Sequence, residues 1–130
     1  MIIGCTSEWK EFERSCYKFF TSRLPEKWVK ARDFCLDQNS HLVSVLSTEE
    51  QEFVTTMTSS SSYNVWIGAK LGTFDFEWED GNEFDYTNWM SGYPSYSGDC
   101  IAMSVNNGMQ WFDTSCSDNQ YYICKQSFEL

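Results

Sequence analysis

Apolar positions recur at helical spacing in the first half of the chain, and beyond residue 64 they give way to short runs and alternations typical of strands. Trp28, Ala31, Phe34 and Cys35 fall on one face of a helix. Pro25 can fill a first helical position, where its missing N–H costs nothing, so this helix is expected from Pro25 to about Asn39. Ser47-Thr48-Glu49-Glu50 reads as a capping box, the Ser47 hydroxyl accepting from the Glu50 N–H while the Glu50 carboxylate reaches back. A second helix follows, to about Met57. The stretch Thr58-Ser59-Ser60-Ser61-Ser62 has no apolar period, and its hydroxyls favour local bonds to backbone, so it is expected as a surface loop.

Val65-Trp66-Ile67-Gly68-Ala69 is a short apolar run of the kind that lies buried in a sheet, and Phe76-Glu77-Trp78 alternates before the turn Glu79-Asp80-Gly81. Cys100 to Val105 and Met109 to Phe112 are two further strands, with Asn106-Asn107-Gly108 between them. There Asn-Gly is expected to supply the positive φ angles of a hairpin turn. Tyr121-Tyr122-Ile123-Cys124 is the last strand. The segment from Asp80 to Asp99 has little period and is too long for an ordinary connection, which marks a functional or specially packed loop. It carries Phe84, Tyr86, Trp89, Tyr93 and Tyr96.

The six cysteines, at 5, 16, 35, 100, 116 and 124, are even in number and form no Cys-x-x-Cys pair. A metal cluster would need closely spaced thiols or several histidines, and His41 is the sole histidine. Three disulfides and an oxidising, extracellular compartment are therefore expected. Six cysteines allow fifteen connectivities, and sequence alone does not choose among them. Spacing suggests two short local loops, Cys5 with Cys16 and Cys100 with Cys116, leaving Cys35 and Cys124 to join the front of the chain to its end.

A chain of 130 residues suits one domain with a single core, over residues 1–130. Nineteen acidic against nine basic residues give a formal charge of −10, which repels phosphate backbones and anionic headgroups. Nucleic acid and membrane surfaces are accordingly poor partners, and no stretch approaches the ~20 apolar residues of a spanning helix. Met1-Ile2-Ile3-Gly4 is far too short for a secretory leader, so a secreted protein of this sequence is expected to have lost one, Met1 being an added residue. The chain has no internal repeat and no Asn-x-Ser/Thr acceptor.

In order along the chain, these motifs resemble the C-type lectin-like domain family. Cys5, Trp9 and Cys16 are similar to that family's N-terminal hairpin extension, and Ser15-Cys16-Tyr17-Lys18-Phe19 to its first strand. Trp28 to Cys35 resembles its first helix, and His41-Leu42-Val43-Ser44-Val45 with Ser47 to Phe53 the approach to its second. Trp66-Ile67-Gly68-Ala69 stands where the family has Trp-Ile-Gly-Leu, followed in sequence by Trp78-Glu79-Asp80-Gly81 and Asn88-Trp89. The resemblance implies an α+β fold, with two helices packed on two small, mostly antiparallel sheets, a long loop region and three disulfides. It implies the pairing that spacing suggested: Cys5–Cys16, Cys35–Cys124 and Cys100–Cys116.

The family's work is recognition through the long loop, and many members hold a calcium ion that meets sugar hydroxyls. This chain departs from that pattern at the metal ligands. Where sugar-binding members carry Glu-Pro-Asn or Gln-Pro-Asp it has Tyr93-Pro94-Ser95, and the family's Trp-Asn-Asp stands as Trp111-Phe112-Asp113. Calcium takes about 6–8 oxygens including charged carboxylates, whereas Asp99, Asp113 and the Ser95 hydroxyl are the nearby donors. No metal and no cofactor is therefore expected, and Glu77, Glu79, Asp80, Glu83 and Asp85 read as a solvated acidic face. Pro94 matches the family's cis proline, and an X-Pro bond is the kind that takes cis cheaply.

Binding without a metal would fall to shape, rings and hydrogen bonds. Tyr93, Tyr96 and Phe112 offer rings to a sugar face or a protein side chain, and Ser95, Asp99 and Asp113 supply polar contacts; the competing reading of the rings is packing within the loop. Trp66, Trp78, Trp89 and Trp111 match core positions, and His41 a structural one. The function expected is a secreted, non-catalytic module binding a glycan or an extracellular protein. The alternatives are a calcium-dependent lectin with a non-standard site and an ice-binding protein. A glycosidase built on Glu77 with Glu79, or Asp99 with Asp113, lacks any supporting nucleophile motif, phosphate loop or metal triad.

Overall fold

Residues 65–69, 100–104 and 122–124 are buried on both faces of their strands, which is why they read as apolar runs rather than as half-polar alternations. In the computed structural model, which describes residues 4–128, the elements follow in the order β1 (Lys10–Phe12), β2 (Ser15–Phe20), α1 (Trp28–Asp37), β3 (His41–Leu42) and α2 (Thr48–Thr58). Then come β4 (Val65–Leu71), β5 (Phe76–Trp78), β6 (Cys100–Ser104), β7 (Gln110–Thr114) and β8 (Tyr121–Ser127). The expectation for Met1 lies outside the described residues. Among the described residues no helix is long and apolar enough to cross a membrane.

Two antiparallel groups of strands make up the sheet. One is β1-β2-β8 with β3 beside β8, the other β5-β4-β6-β7, and a short parallel ladder joins them at Val65↔Tyr121 and Trp66↔Tyr122. Because side chains alternate along a strand, Val65, Ile67, Ala69, Ile101, Met103 and Ile123 enter one core with Val54 of α2 and Trp111. Trp66, Cys100, Ala102, Tyr122 and Cys124 enter a second core with Trp28, Ala31 and Cys35 of α1. Each helix thus covers its own face. The indole N–H groups of the deepest tryptophans are satisfied: Trp28 donates to the Ile67 carbonyl at 2.9 Å, Trp66 to that of Glu26 at 2.8 Å, and Trp111 to Gln51 Oε1 at 2.8 Å.

Three local expectations need correction. Pro25 does not open α1. The Glu26 backbone is taken by a bridge to Gln120, donating at 2.9 Å and accepting at 3.0 Å, so the chain stays extended through Lys27 and the helix begins at Trp28. It stops at Asp37, two residues short of Asn39, whose φ of 56° is a left-handed conformation that asparagine tolerates just past a helix end. The β6–β7 connection is a short 3-10 turn over Val105–Asn107, and the positive φ angles belong to Gly108 and Met109 rather than to Asn107. Ser47 does cap α2, accepting from Glu50 N at 3.1 Å, and the Glu50 carboxylate reaches one residue further back than the capping box requires, to Leu46 N at 2.8 Å.

The disulfides join Cys5–Cys16, Cys35–Cys124 and Cys100–Cys116, as the resemblance implied. Cys100–Cys116 ties the start of β6 to the segment after β7, at the root of the 80–99 loop.

Candidate functional site

The loop between β5 and β6 is held down by one carboxylate. Strand β7 alternates Trp111 into one core, Phe112 toward the other and Asp113 back toward the loop, leaving Asp113 only 4% exposed. Asp113 Oδ1 accepts from Ser95 N at 2.6 Å; Oδ2 accepts from the Ser95 hydroxyl at 2.9 Å and from Gly98 N at 3.0 Å. Ser97 closes the circuit, its hydroxyl 2.7 Å from Ser95 Oγ and its N–H donating there at 3.3 Å. The loop reaches β7 because residue 98 is glycine: a Cβ there would sit 2.3 Å from the Thr114 carbonyl carbon. Burial alone would raise the Asp113 carboxyl, yet the Ser95 and Gly98 N–H groups and the Ser95 hydroxyl outweigh it and hold the group below the ordinary carboxylate range.

That balance has a pH sign. A carboxyl lowered in the folded state contributes stability that is present above its unfolded value, near about 3.9, and is lost as pH falls through the lower folded value. Replacing Asp113 by Asn leaves one acceptor oxygen for donors that occupied two. A loss of about 1.5–3 kcal/mol in unfolding free energy is expected, with amide exchange rising at Ser95, Ser97 and Gly98. The acid-limb slope of stability should flatten in that variant; an unchanged slope would assign the acid sensitivity to other groups.

The remaining sequence-derived residues sit around this staple. The Tyr93–Pro94 bond is cis. Tyr93 is half-buried, its ring edge-on to Phe112 at 6.2 Å, so these two rings pack on one another. Tyr96 is 56% exposed at a φ of 59°, lies with one face stacked on Phe76 at 5.7 Å, and donates its phenol to Asp75 Oδ1 at 3.2 Å. Partial desolvation and the Asp75 carboxylate hold that phenol above its ordinary value. Ser95 and Asp99 are exposed, and the Asp99 carbonyl accepts from Leu71 N at 2.7 Å, seating the end of the loop on β4. The other loop aromatics turn inward: Phe84, Tyr86 and Trp89 all pack on Trp111.

Two residues that sequence reasoning passed over join the group. Phe74 is 96% exposed at the tip of the turn between β4 and β5, and Asp75 beside it receives the Tyr96 phenol. A phenylalanine in a four-residue turn has no sheet face to enter, and that was the available signal.

The donor chemistry does not suit calcium. Tyr93 brings a ring rather than an oxygen-rich donor, and both Asp113 oxygens already accept from the loop. Among the described residues no three His, Cys, Asp or Glu side chains gather into a group that could hold a metal ion.

A two-core α+β domain with three disulfides and a stapled loop of this kind is a C-type lectin-like fold. The chain belongs to the C-type lectin domain family, residues 24–126 matching the family model for the lectin C-type domain. It is 32% identical to echinoidin of Heliocidaris crassispina over 93% of this chain and 95% of that one. Its structure is similar to a mouse scavenger receptor C-type lectin carbohydrate-recognition domain, with TM-score 0.85, 33% identity and coverage of 97% of this chain and 98% of that one. It is also similar to the type II antifreeze protein of herring, with TM-score 0.87, 30% identity and coverage of 96% and 100%.

Proposed function

We propose that the chain is a secreted, non-catalytic recognition module that binds a glycan or an extracellular protein through the 80–99 loop, without the calcium bridge of the sugar-binding members. The observation that carries this reading is the engagement of Asp113. Its lone pairs face Ser95 N–H, Ser95 O–H and Gly98 N–H, so the protein's own donors satisfy the carboxylate and hold the loop. The exposed surface left by that arrangement is Tyr96, Ser95 and Asp99, with Tyr93 and Phe112 at its edge. Three disulfides support an extracellular setting, since a reducing thiol pool would open them.

Thermal melting in millimolar calcium and in chelator is expected to give midpoints within about 1 °C of one another. An ion held only by the folded state at 100 times its Kd would add about 2.7 kcal/mol, raising the midpoint of a domain this size by roughly 8–13 °C. A shift of that size would overturn the metal-free reading. A glycan array probed with and without chelator separates the ligand classes: hits insensitive to chelator select a sugar, and a blank array selects a protein. Tyr96→Ala should weaken whichever ligand is found while leaving the melting midpoint nearly in place.

A further inference from the structure

Phe74 and Tyr96, the most exposed aromatic residues among those described, are both tied to the turn between β4 and β5. Phe74, 96% exposed, stands on a turn closed by Gly72 N donating to the Asp75 carbonyl at 2.8 Å, and Asp75 Oδ1 accepts from Phe76 N at 2.8 Å. Tyr96 is fixed to the same turn by its phenol on Asp75 and by its stack on Phe76, which leaves the opposite ring face to solvent. The Tyr96 ring, already held in place, loses little freedom on binding. Two exposed rings on one turn, one of them fixed with a face outward, offer a partner apolar area and π-faces.

Charge selects the partner. Seven of the nine cations fall between Lys10 and Arg32, while residues 65–128 hold nine carboxylates against Lys70 and Lys125. Lys125 is buried on Glu50, and Lys70, the cross-strand neighbour of Glu77, lies over the Trp28 ring at 5.6 Å rather than in an ion pair with that carboxylate. Among the described residues, none of Asp75, Glu77 and Asp99 takes part in an ion pair. All three border the turn: Asp75 belongs to it, the Glu77 carboxylate is folded over Gly72, and Asp99 is bonded through its carbonyl to Leu71. A neutral sugar can hydrogen-bond to these carboxylates but draws nothing from their charge, and an anionic one is repelled. An arginine or lysine gains twice, from an electron-rich ring face within about 6 Å and from the carboxylates at its edge.

We propose that Phe74 and Tyr96, bordered by Asp75, Glu77 and Asp99, dock a cationic segment of an extracellular protein, with a basic side chain laid across the rings and its head on the carboxylates. This deepens the loop-recognition reading and rests on it.

The probe is a decapeptide of alternating arginine and glycine, with citrulline and glutamate versions as neutral and anionic controls, titrated by amide NMR. Saturable shifts are expected at residues 72–77 and 95–99 with the arginine peptide alone, weakening as salt is raised. Phe74→Ala and the pair E77Q/D99N should each weaken binding about tenfold, the scale of a lost cation–π contact or ion pair at a partly desolvated site. E49Q/E52Q removes the same charge from the exposed face of α2 and should change binding by less than about twofold. All these side chains are exposed, so the variants should keep the parent melting midpoint.

Undiminished binding by Phe74→Ala, or an equal loss in E49Q/E52Q, overturns the proposal by showing attraction to net charge alone. Shifts confined elsewhere, beside a glycan hit that depends on Tyr96, overturn it while leaving the loop-recognition reading in place. Peptide binding at this surface with a blank glycan array supports it and identifies the ligand class as protein.

Discussion

Replacing both cysteines of the long bridge, C35A/C124A, is expected to lower the unfolding free energy by about 4–5 kcal/mol, dropping the melting midpoint by roughly 15 °C. The two residues are 89 apart in sequence, so the bridge closes most of the chain into one loop, and both are fully buried where α1 meets β8. In the loop-entropy model the short bridges, with separations of 11 and 16, contribute about 3 kcal/mol each. The order of the losses is therefore the test. Urea titrations of C35A/C124A and C100A/C116A should show the larger loss in the first. Its m-value should also rise, because an untethered denatured chain exposes more surface. Equal losses would mean that local strain or packing, rather than constraint of the unfolded chain, sets the contribution of these bridges.

The framework was legible because it rests on signals that repeat. Trp28, Ala31 and Cys35 at helical spacing, the Ser47 cap and the apolar run from Val65 to Ala69 each draw on several residues that agree, and all three stand in the structure. The expectations that failed rested on single residues overridden by partners far along the chain. Pro25 permits a helix start, but Gln120 claims the Glu26 backbone, a contact no local pattern contains. Asn107-Gly108 permits a primed turn, but the 3-10 turn ahead of it shifts the left-handed pair by one residue, onto Gly108 and Met109.

The site divides the same way. The resemblance implied that Tyr93, Ser95 and Phe112 replace metal donors, and the structure places all three around the Asp113 staple. That Asp113 turns its carboxylate onto residues 95 and 98 was not readable in the sequence, since the bonds form across 15 and 18 positions and need Gly98 to lie against Thr114. Phe74 escaped notice because a residue in a turn carries no periodicity.

Lys125→Met is expected to cost about 3–5 kcal/mol, the penalty for stranding a buried carboxylate, and to lower the melting midpoint by roughly 10–20 °C. Lys125 Nζ lies 2.6 Å from Glu50 Oε2, with side-chain exposures of 10% and 7%, and donates to the Ser44 carbonyl and hydroxyl at 3.1 and 3.2 Å. Tyr17 donates to the same Glu50 oxygen at 2.5 Å, and burial, reinforced by that carboxylate, pushes its phenol far up, keeping it a neutral donor. Ser44 in turn donates to Asp80 Oδ2 at 2.6 Å, and Asp80 Oδ1 accepts from Asn82 N at 3.0 Å. The chain of bonds thus joins β2, α2 and β8 to the first residue of the 80–99 loop.

Because Glu50 is left without its cation in the single variant, the double variant E50Q/K125M should recover much of the loss, and a double-mutant cycle should return a coupling of about 2–3 kcal/mol. The network also predicts where the damage appears. Amide exchange in Lys125→Met should rise at Leu46, whose N–H is held by Glu50, and at Asn82, whose N–H is held by Asp80, while the Asp113 staple at the far end of the loop stays protected. If Ser95 and Gly98 loosen equally with Asn82, the loop behaves as one unit hung from Asp80. The Asp113 carboxylate is then secondary to the buried ion pair in holding it.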